Sequence, residues 1–197
     1  MGNLINAMRI LNTLSGQKEE FIPLKDNKVG IFVCGPTVYD YSHIGHARTY
    51  IIFDVIAKYL RSKGYKVKFV MNITDIDDKI INRAKEENKN WKEIAEFYEN
   101  NFMEDIKKLG INSIDKFARA TDHIQQIIKQ IEILIEKDYA YQTEDGIYFD
   151  ISKFEDYGKL AKRTVKQAED GVSRIDESVS KRNKGDFALW KFSKESD

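Results

Sequence analysis

Val29-Gly30-Ile31-Phe32-Val33-Cys34-Gly35-Pro36-Thr37-Val38-Tyr39-Asp40-Tyr41-Ser42-His43-Ile44-Gly45-His46 is the stretch that decides the fold. Its first five residues are a near-continuous apolar run, the pattern of a strand covered on both faces. From Gly45 the apolar period changes. Ile51, Val55 and Leu60 mark one helical face, broadened by Ile52, Phe53 and Ile56, and Gly64 supplies a stop. Residues 66–71 alternate and then turn apolar, which predicts a second strand. Strand, helix and strand make a βαβ unit, a right-handed crossover between parallel strands.

Outward from this unit the chain continues as α/β. Thr74 and Asp75 are read as opening another helix, with Asp77 and Asp78 in its first turn, where negative charge suits the helix dipole. Ile76, Ile80, Ile81 and Ala84 give that helix a buried side. Residues 91–109 and 122–137 read as two more amphipathic helices, the second carrying Ile124, Ile127, Ile128, Ile131, Leu134 and Ile135. Residues 146–150 form a short strand after an acidic turn. Upstream, residues 10–23 read as a short strand, a turn at Ser15-Gly16 and a second extended segment. Residues 159–186 are charged, hold few large apolar side chains, and read as a loop-rich insert.

Composition narrows the function classes. With 197 residues, 42% of them hydrophobic, the chain can bury a real core. Its 32 basic and 32 acidic residues balance, which argues against a globally basic nucleic-acid binder and leaves room for a local basic face. One cysteine excludes an internal disulfide framework and suits a reduced cytoplasmic setting. No apolar run approaches the ~20 residues of a membrane span, and residues 1–6 lack the basic start and apolar core of a signal peptide.

Two features could carry chemistry. His43-Ile44-Gly45-His46 lies where a strand gives way to a helix, at the carboxyl edge of a parallel sheet, where open α/β sheets bind ligands. Gly45 lets backbone approach a nucleotide, and two imidazoles beside a helix N-terminus can donate to phosphate oxygens. Two ordinary histidines flanking a tight turn would give the same four residues. Cys34, at the end of the first strand, is either a small buried hydrophobe or a metal ligand or nucleophile. No second cysteine or histidine at ligand spacing accompanies it.

Residues 34–40 with 43–49 resemble the first signature of the cysteinyl-tRNA synthetases, a class I family of aminoacyl-tRNA synthetases. Residues 71–81 resemble that family's second block, 119–124 a third and 186–191 a fourth, in order from about Met8 to the last residue. The resemblance implies the first half of a class I Rossmann-like nucleotide-binding domain, over residues 1–137, followed by part of a small α+β connective-peptide insert, over 138–197. It implies that Cys34 is one ligand of a zinc ion that takes the substrate cysteine thiolate. Gly35 and Thr74 would line the amino-acid pocket. His43, Gly45 and His46 would bind ATP, supplied with magnesium, and the two histidines would be the catalytic pair. Asp75, Asp77 and Asp78 are read as capping and surface groups. The implied partners are cysteine, ATP and tRNA(Cys), with no membrane, for a cytoplasmic monomer.

The departures from the family pattern shape the expectation. The family's other zinc ligands and its Lys-Met-Ser-Lys-Ser loop should lie beyond the fourth block. Residues 191–196 mimic that loop but follow the block too closely to be it. The chain is therefore expected to be an N-terminal portion, inactive and poor at holding zinc by itself. Lys159, Lys162, Arg163, Lys166, Arg174, Lys181, Arg182 and Lys184 crowd the insert, either as a solvated loop or as phosphate contacts for the tRNA acceptor end. Two other classes stay open: a ligase joining cysteine to an amino sugar without tRNA, and a non-catalytic nucleotide- or partner-binding paralogue.

Overall fold

In the computed structural model, residues 8–162 and 180–193 are described. In chain order the elements are β1 (Arg9–Leu11), β2 (Lys18–Glu20), β3 (Lys28–Val33), α1 (Ile44–Ser62), β4 (Lys66–Ile73), α2 (Asp78–Glu87), α3 (Trp91–Lys108), β5 (Lys116–Arg119), α4 (Ile124–Glu136), β6 (Ala140–Gln142), β7 (Gly146–Phe149) and β8 (Phe187–Lys191). By their contacts they fall into two units. One is Pro23–Ile124; the other takes the described residues of Met1–Ile22 and Gln125–Asp197.

The first unit is built on a parallel sheet of order β3-β4-β5. The expected βαβ crossover is β3-α1-β4, with Val29 opposite Val67 and Val33 opposite Met71. A third strand, β5, was not apparent from the sequence. It is four residues long, Lys116-Phe117-Ala118-Arg119, and two of those four are cationic, so it lacks the apolar run that announces a buried strand. Its register against β4 supplies what its composition does not: Met71 pairs with Phe117 and Ile73 with Arg119. Phe69, Met71 and Ile73 are fully buried beneath α1 and α3, where Tyr50, Ala57, Tyr98, Phe102 and Ile106 complete the core. Burial of each such large apolar side chain contributes about 2 kcal/mol.

Two sequence expectations change here. The face of α1 turned to the core is Tyr50, Asp54, Ala57 and Leu60, not Ile51 and Val55. Ile51, Ile52 and Val55 are 40%, 47% and 58% exposed. The stretch is so rich in apolar residues that periodicity alone does not choose the phase of the helix. Buried Asp54 chooses it, by accepting the backbone N–H groups of Asn112 (3.1 Å) and Ser113 (2.9 Å) and pairing with Lys58 at 2.7 Å. These bonds hold its carboxyl below the usual range against the opposing effect of burial. The second correction concerns α2, which opens at Asp78 and not at Thr74 or Asp75. Asp77 is the N-cap, with extended backbone and a side chain accepting from Lys79 N–H at 2.9 Å, so residues 74–76 stay in the loop.

In the second unit, β1 and β2 pair as the expected hairpin, and β6, β7 and β8 form an antiparallel sheet in that order. Its polar centre is Asp186, fully buried at the start of β8. Asp186 accepts from Tyr141 Oη (2.6 Å), Ile151 N–H (3.0 Å), Asn183 N–H (3.0 Å) and Asn183 Nδ2 (3.2 Å). The Tyr141 phenol is pushed up to about 12, by burial first and then by its bond to Asp186. Arg163, Lys166 and Arg174 of the basic insert lie outside the described residues. So do Lys194 to Ser196 of the look-alike loop. Arg182 lays its guanidinium over the Tyr141 ring at 4.2 Å and sits 3.7 Å from Asp150, so part of its charge serves the small sheet.

Candidate functional site

The loop that leaves β3 is bolted to the end of β4. Thr74 N–H donates to Pro36 O at 3.0 Å and Val38 N–H donates to Thr74 O at 3.1 Å, which makes Thr37 and Thr74 a parallel bridge. Val38 is buried and anchors the loop from below. Between these bonds Gly35 crosses the backbone of β4 so closely that a Cβ placed on it would lie 1.7 Å from Asn72 O. Only glycine permits that approach. Gly35 N–H donates to Asn72 Oδ1 at 3.0 Å, and Asn72 Nδ2 donates to Thr74 Oγ1 at 3.3 Å. The adjoining Cys34 thiol is exposed.

His43 and His46 open α1 as a reciprocal capping pair. His43 Nδ1 accepts from Gly45 N–H at 3.1 Å, and His46 Nδ1 accepts from His43 N–H at 3.2 Å. A neutral imidazole that accepts at Nδ1 carries its proton on Nε2, so both rings offer an Nε2–H donor at the positive end of a helix 19 residues long. The rings stack with centroids 3.9 Å apart and planes 19° from parallel. Burial, and then the charge of His43, lower the pKa of His46. The shift favours a neutral His46, whose Nε2–H can donate to a phosphate oxygen.

Tyr50, one turn on, lies parallel to His46 at 6.2 Å and is buried. Its phenol is pushed up to about 12 by burial, with the Cys34 thiolate adding to the shift, which places Cys34 and the start of α1 in one electrostatic neighbourhood. A cavity of about 260 Å³ opens beside the histidines, lined in part by Ser42, Tyr50, Phe102 and Asp105.

The loop after β4 is tied in turn to β5. Asp75 is buried and accepts from Thr121 N–H at 3.0 Å and from the Thr121 hydroxyl. Ala120 N–H donates to Ile73 O at 3.0 Å, and Arg119 meets buried Glu99 through Nε at 2.9 Å. Asp75 is therefore an internal tie and not the surface group the sequence suggested, whereas Asp77 does cap a helix.

The structure sets Cys34, Gly35 and Thr74 on adjoining strand ends and His43, Gly45 and His46 at the following helix start. Asn72, Tyr50 and Thr121 were missed in the sequence. Asn72 alone left a signal, as an amide in the apolar second half of β4. Among the described residues no group of three or more His, Cys, Asp or Glu is placed to hold a metal ion. Cys34 offers one thiolate where a zinc site needs three or four protein ligands, so the described residues do not by themselves fit the expected zinc. Among the described residues, no helix is long and apolar enough to cross a membrane.

The lowered pKa of His46 has a measurable consequence. The unfolded imidazole takes up its proton near pH 6.5, and the folded one only at lower pH. The unfolded state then binds more protons, so stability falls as pH drops from about 6.5 through the folded value. Urea midpoints at pH 7.5 and 5.5 should differ more in the unsubstituted protein than in His46→Asn, whose amide oxygen can take the Nδ1 role without titrating. Equal differences would contradict this origin.

Residues 20–197 match the family model of the tRNA synthetase class I (C) catalytic domain. The chain is 54% identical over 188 residues to the cysteine–tRNA ligase of Thermococcus gammatolerans, 52% over 191 to that of Thermodesulfovibrio yellowstonii, and 49% over 187 to that of Methanococcus maripaludis. Each alignment takes in 95% of this chain and 39% of the relative, so the chain spans about two fifths of the length of the curated relatives it matches.

Proposed function

The chain belongs to the family of class I (C) tRNA synthetase catalytic domains, and from that membership we propose that it serves the ATP-dependent activation of cysteine and its transfer to tRNA(Cys). The cysteine carboxylate attacks the α-phosphorus of magnesium-bound ATP. The bond to the bridging oxygen breaks, pyrophosphate leaves with that electron pair, and cysteinyl adenylate remains. The terminal adenosine hydroxyl of the tRNA then takes the acyl group and AMP leaves. Residues 1–137 are read as the catalytic half-domain and 138–197 as part of the insert.

The observation that carries this reading is the capped histidine pair. His43 and His46 aim Nε2–H donors from the positive end of α1, and charge builds on phosphate oxygens during the displacement. Because each ring is held by a backbone N–H, the donors are set before substrate arrives and little reorganisation remains. Gly35 and Thr74 line the amino-acid pocket in this reading. Zinc, when bound, supplies a sulfur-preferring Lewis acid for the substrate thiol. Cys34 would be one of its ligands, and the remaining donors are not among the described residues.

The test is cysteine-dependent pyrophosphate exchange by the enzyme that carries this chain. His43→Ala and His46→Ala should each lower the exchange rate about a hundredfold, the loss of one preorganised donor at about 3 kcal/mol, with cysteine affinity nearly intact. Cys34→Ser should instead weaken cysteine binding and its discrimination from serine. Histidine variants that lose cysteine affinity and keep the rate would reverse this division of labour. Transfer of the cysteinyl group from the adenylate to the amine of an amino sugar in place of tRNA, with release of AMP, would redirect the second step.

A further inference from the structure

Asn72 occupies the second-last position of β4, a central parallel strand whose alternate residues Phe69, Met71 and Ile73 are fully buried. Parallel strands favour β-branched and apolar residues at such positions, and asparagine is among the poorer choices. Its side chain spends both of its polar ends locally. Oδ1 takes the Gly35 N–H at 3.0 Å, and Nδ2 gives a proton to Thr74 Oγ1 at 3.3 Å. Gly35 and Thr74 are 39 positions apart, just past the ends of β3 and β4, and one amide spans them. The backbone carbonyl of the same residue is the atom that forbids a side chain on Gly35.

The direction of the second bond matters. A threonine hydroxyl that accepts from Asn72 has its own proton left to donate elsewhere. Aspartate in the same place would accept from Gly35 as before but could only accept from Thr74, so the hydroxyl proton would turn back into the protein. Glutamine would be one methylene too long for the span. The residue type therefore determines both the separation of Gly35 from Thr74 and the polarity that Thr74 shows to whatever lies against it.

We propose that Asn72 is a positioning residue for the amino-acid substrate: it clasps Gly35 to Thr74 and keeps the Thr74 hydroxyl a donor toward a hydrogen-bond acceptor on the bound amino acid. The proposal rests on the reading above in which Gly35 and Thr74 line that pocket. Asn72 touches no substrate in this account and acts through its two neighbours.

The experiment compares Asn72→Asp, Asn72→Ala and Thr74→Val in the whole enzyme by cysteine-dependent pyrophosphate exchange, with KM for cysteine and for ATP measured separately. Asn72→Asp is nearly isosteric and keeps the Gly35 bond, so it decides the matter even if Asn72→Ala folds poorly. It should raise KM for cysteine about tenfold, the loss of one hydrogen bond, and change KM for ATP by less than about threefold. In a Thr74→Val background the same substitution should add nothing further to the cysteine KM, because its route runs through Thr74. Unchanged cysteine KM in Asn72→Asp, equal effects on both substrates, or full additivity with Thr74→Val would each overturn the proposal while leaving the cysteine-activating reading in place. An unsubstituted enzyme with no cysteine-dependent exchange would overturn that reading and this proposal with it.

Discussion

Gly35→Ala should destabilise the unit Pro23–Ile124 by at least about 3 kcal/mol, the upper part of the range for overpacking. The added methyl would lie 1.7 Å from Asn72 O and 3.0 Å from both Asn72 C and Met71 Cγ. The first two are backbone atoms of β4, held on one side by β3 and on the other by β5, and they cannot turn aside as a side chain can. Relief must come from moving the loop, which breaks the Gly35–Asn72 bond and strains the bonds of Thr74 to Pro36 and Val38. Gly45→Ala is the control. Its methyl would meet only the His43 ring, at 2.8 Å from Cε1 and 2.9 Å from Nδ1, and that ring can rotate. The cost there should be about 1 kcal/mol, the loss of an N-cap bond. Urea unfolding of both variants measures the contrast. A Gly35→Ala protein within about 0.5 kcal/mol of the parent would show that the close approach does not constrain the loop.

Asp186→Ala should cost the small sheet about 3–5 kcal/mol, the range for removing one partner from a buried ionic or hydrogen-bonded cluster. Four donor contacts converge on this fully buried carboxylate, from Tyr141, Ile151 and twice from Asn183. Truncation leaves them without their acceptor and without water to replace it. Asp186→Asn keeps the volume but presents an amide hydrogen to at least one donor, so an intermediate loss is expected. Trp190, in β8 itself, is a local fluorescence reporter of this unfolding. The phenol of Tyr141 should titrate below about 12 in the alanine variant, because one of the causes that raise it is gone. A loss under about 1 kcal/mol would mean that the cluster is replaceable by packing.

Asp186 and Gly35 were both visible in the sequence, yet in different ways. Gly35 stood in a motif, and the resemblance made it a lining residue of the amino-acid pocket without saying why it must be glycine. The structure gives the reason: its backbone crosses β4 too closely for a side chain. Asp186 opened a block that resembled a family signature, without any hint that it would be the buried acceptor for residues 35 and 45 positions away. Asp75 misled in the same manner. An aspartate followed by an apolar residue and two more aspartates looks like a helix start, and only Thr121, on the turn after β5, shows that it is spent elsewhere.

What the sequence by itself determined is what nearest neighbours control. The apolar run of residues 29–33, the change of period after it and Gly64 dictated strand, helix and strand. The place of the His-x-Gly-His turn at a helix start followed from the same local pattern, whereas the reciprocal capping by its two rings is seen only in the structure. Tertiary structure alone decided which face of α1 is buried, because Asp54 binds residues 58 and 59 positions later. It alone recruited the four-residue β5, whose strand character comes from pairing with β4 and not from its own side chains. It alone made Asn72 the clasp between residues 35 and 74. Periodicity constrains groups within about a turn of one another, while a hydrogen bond across 37 positions depends on where two strands end in space.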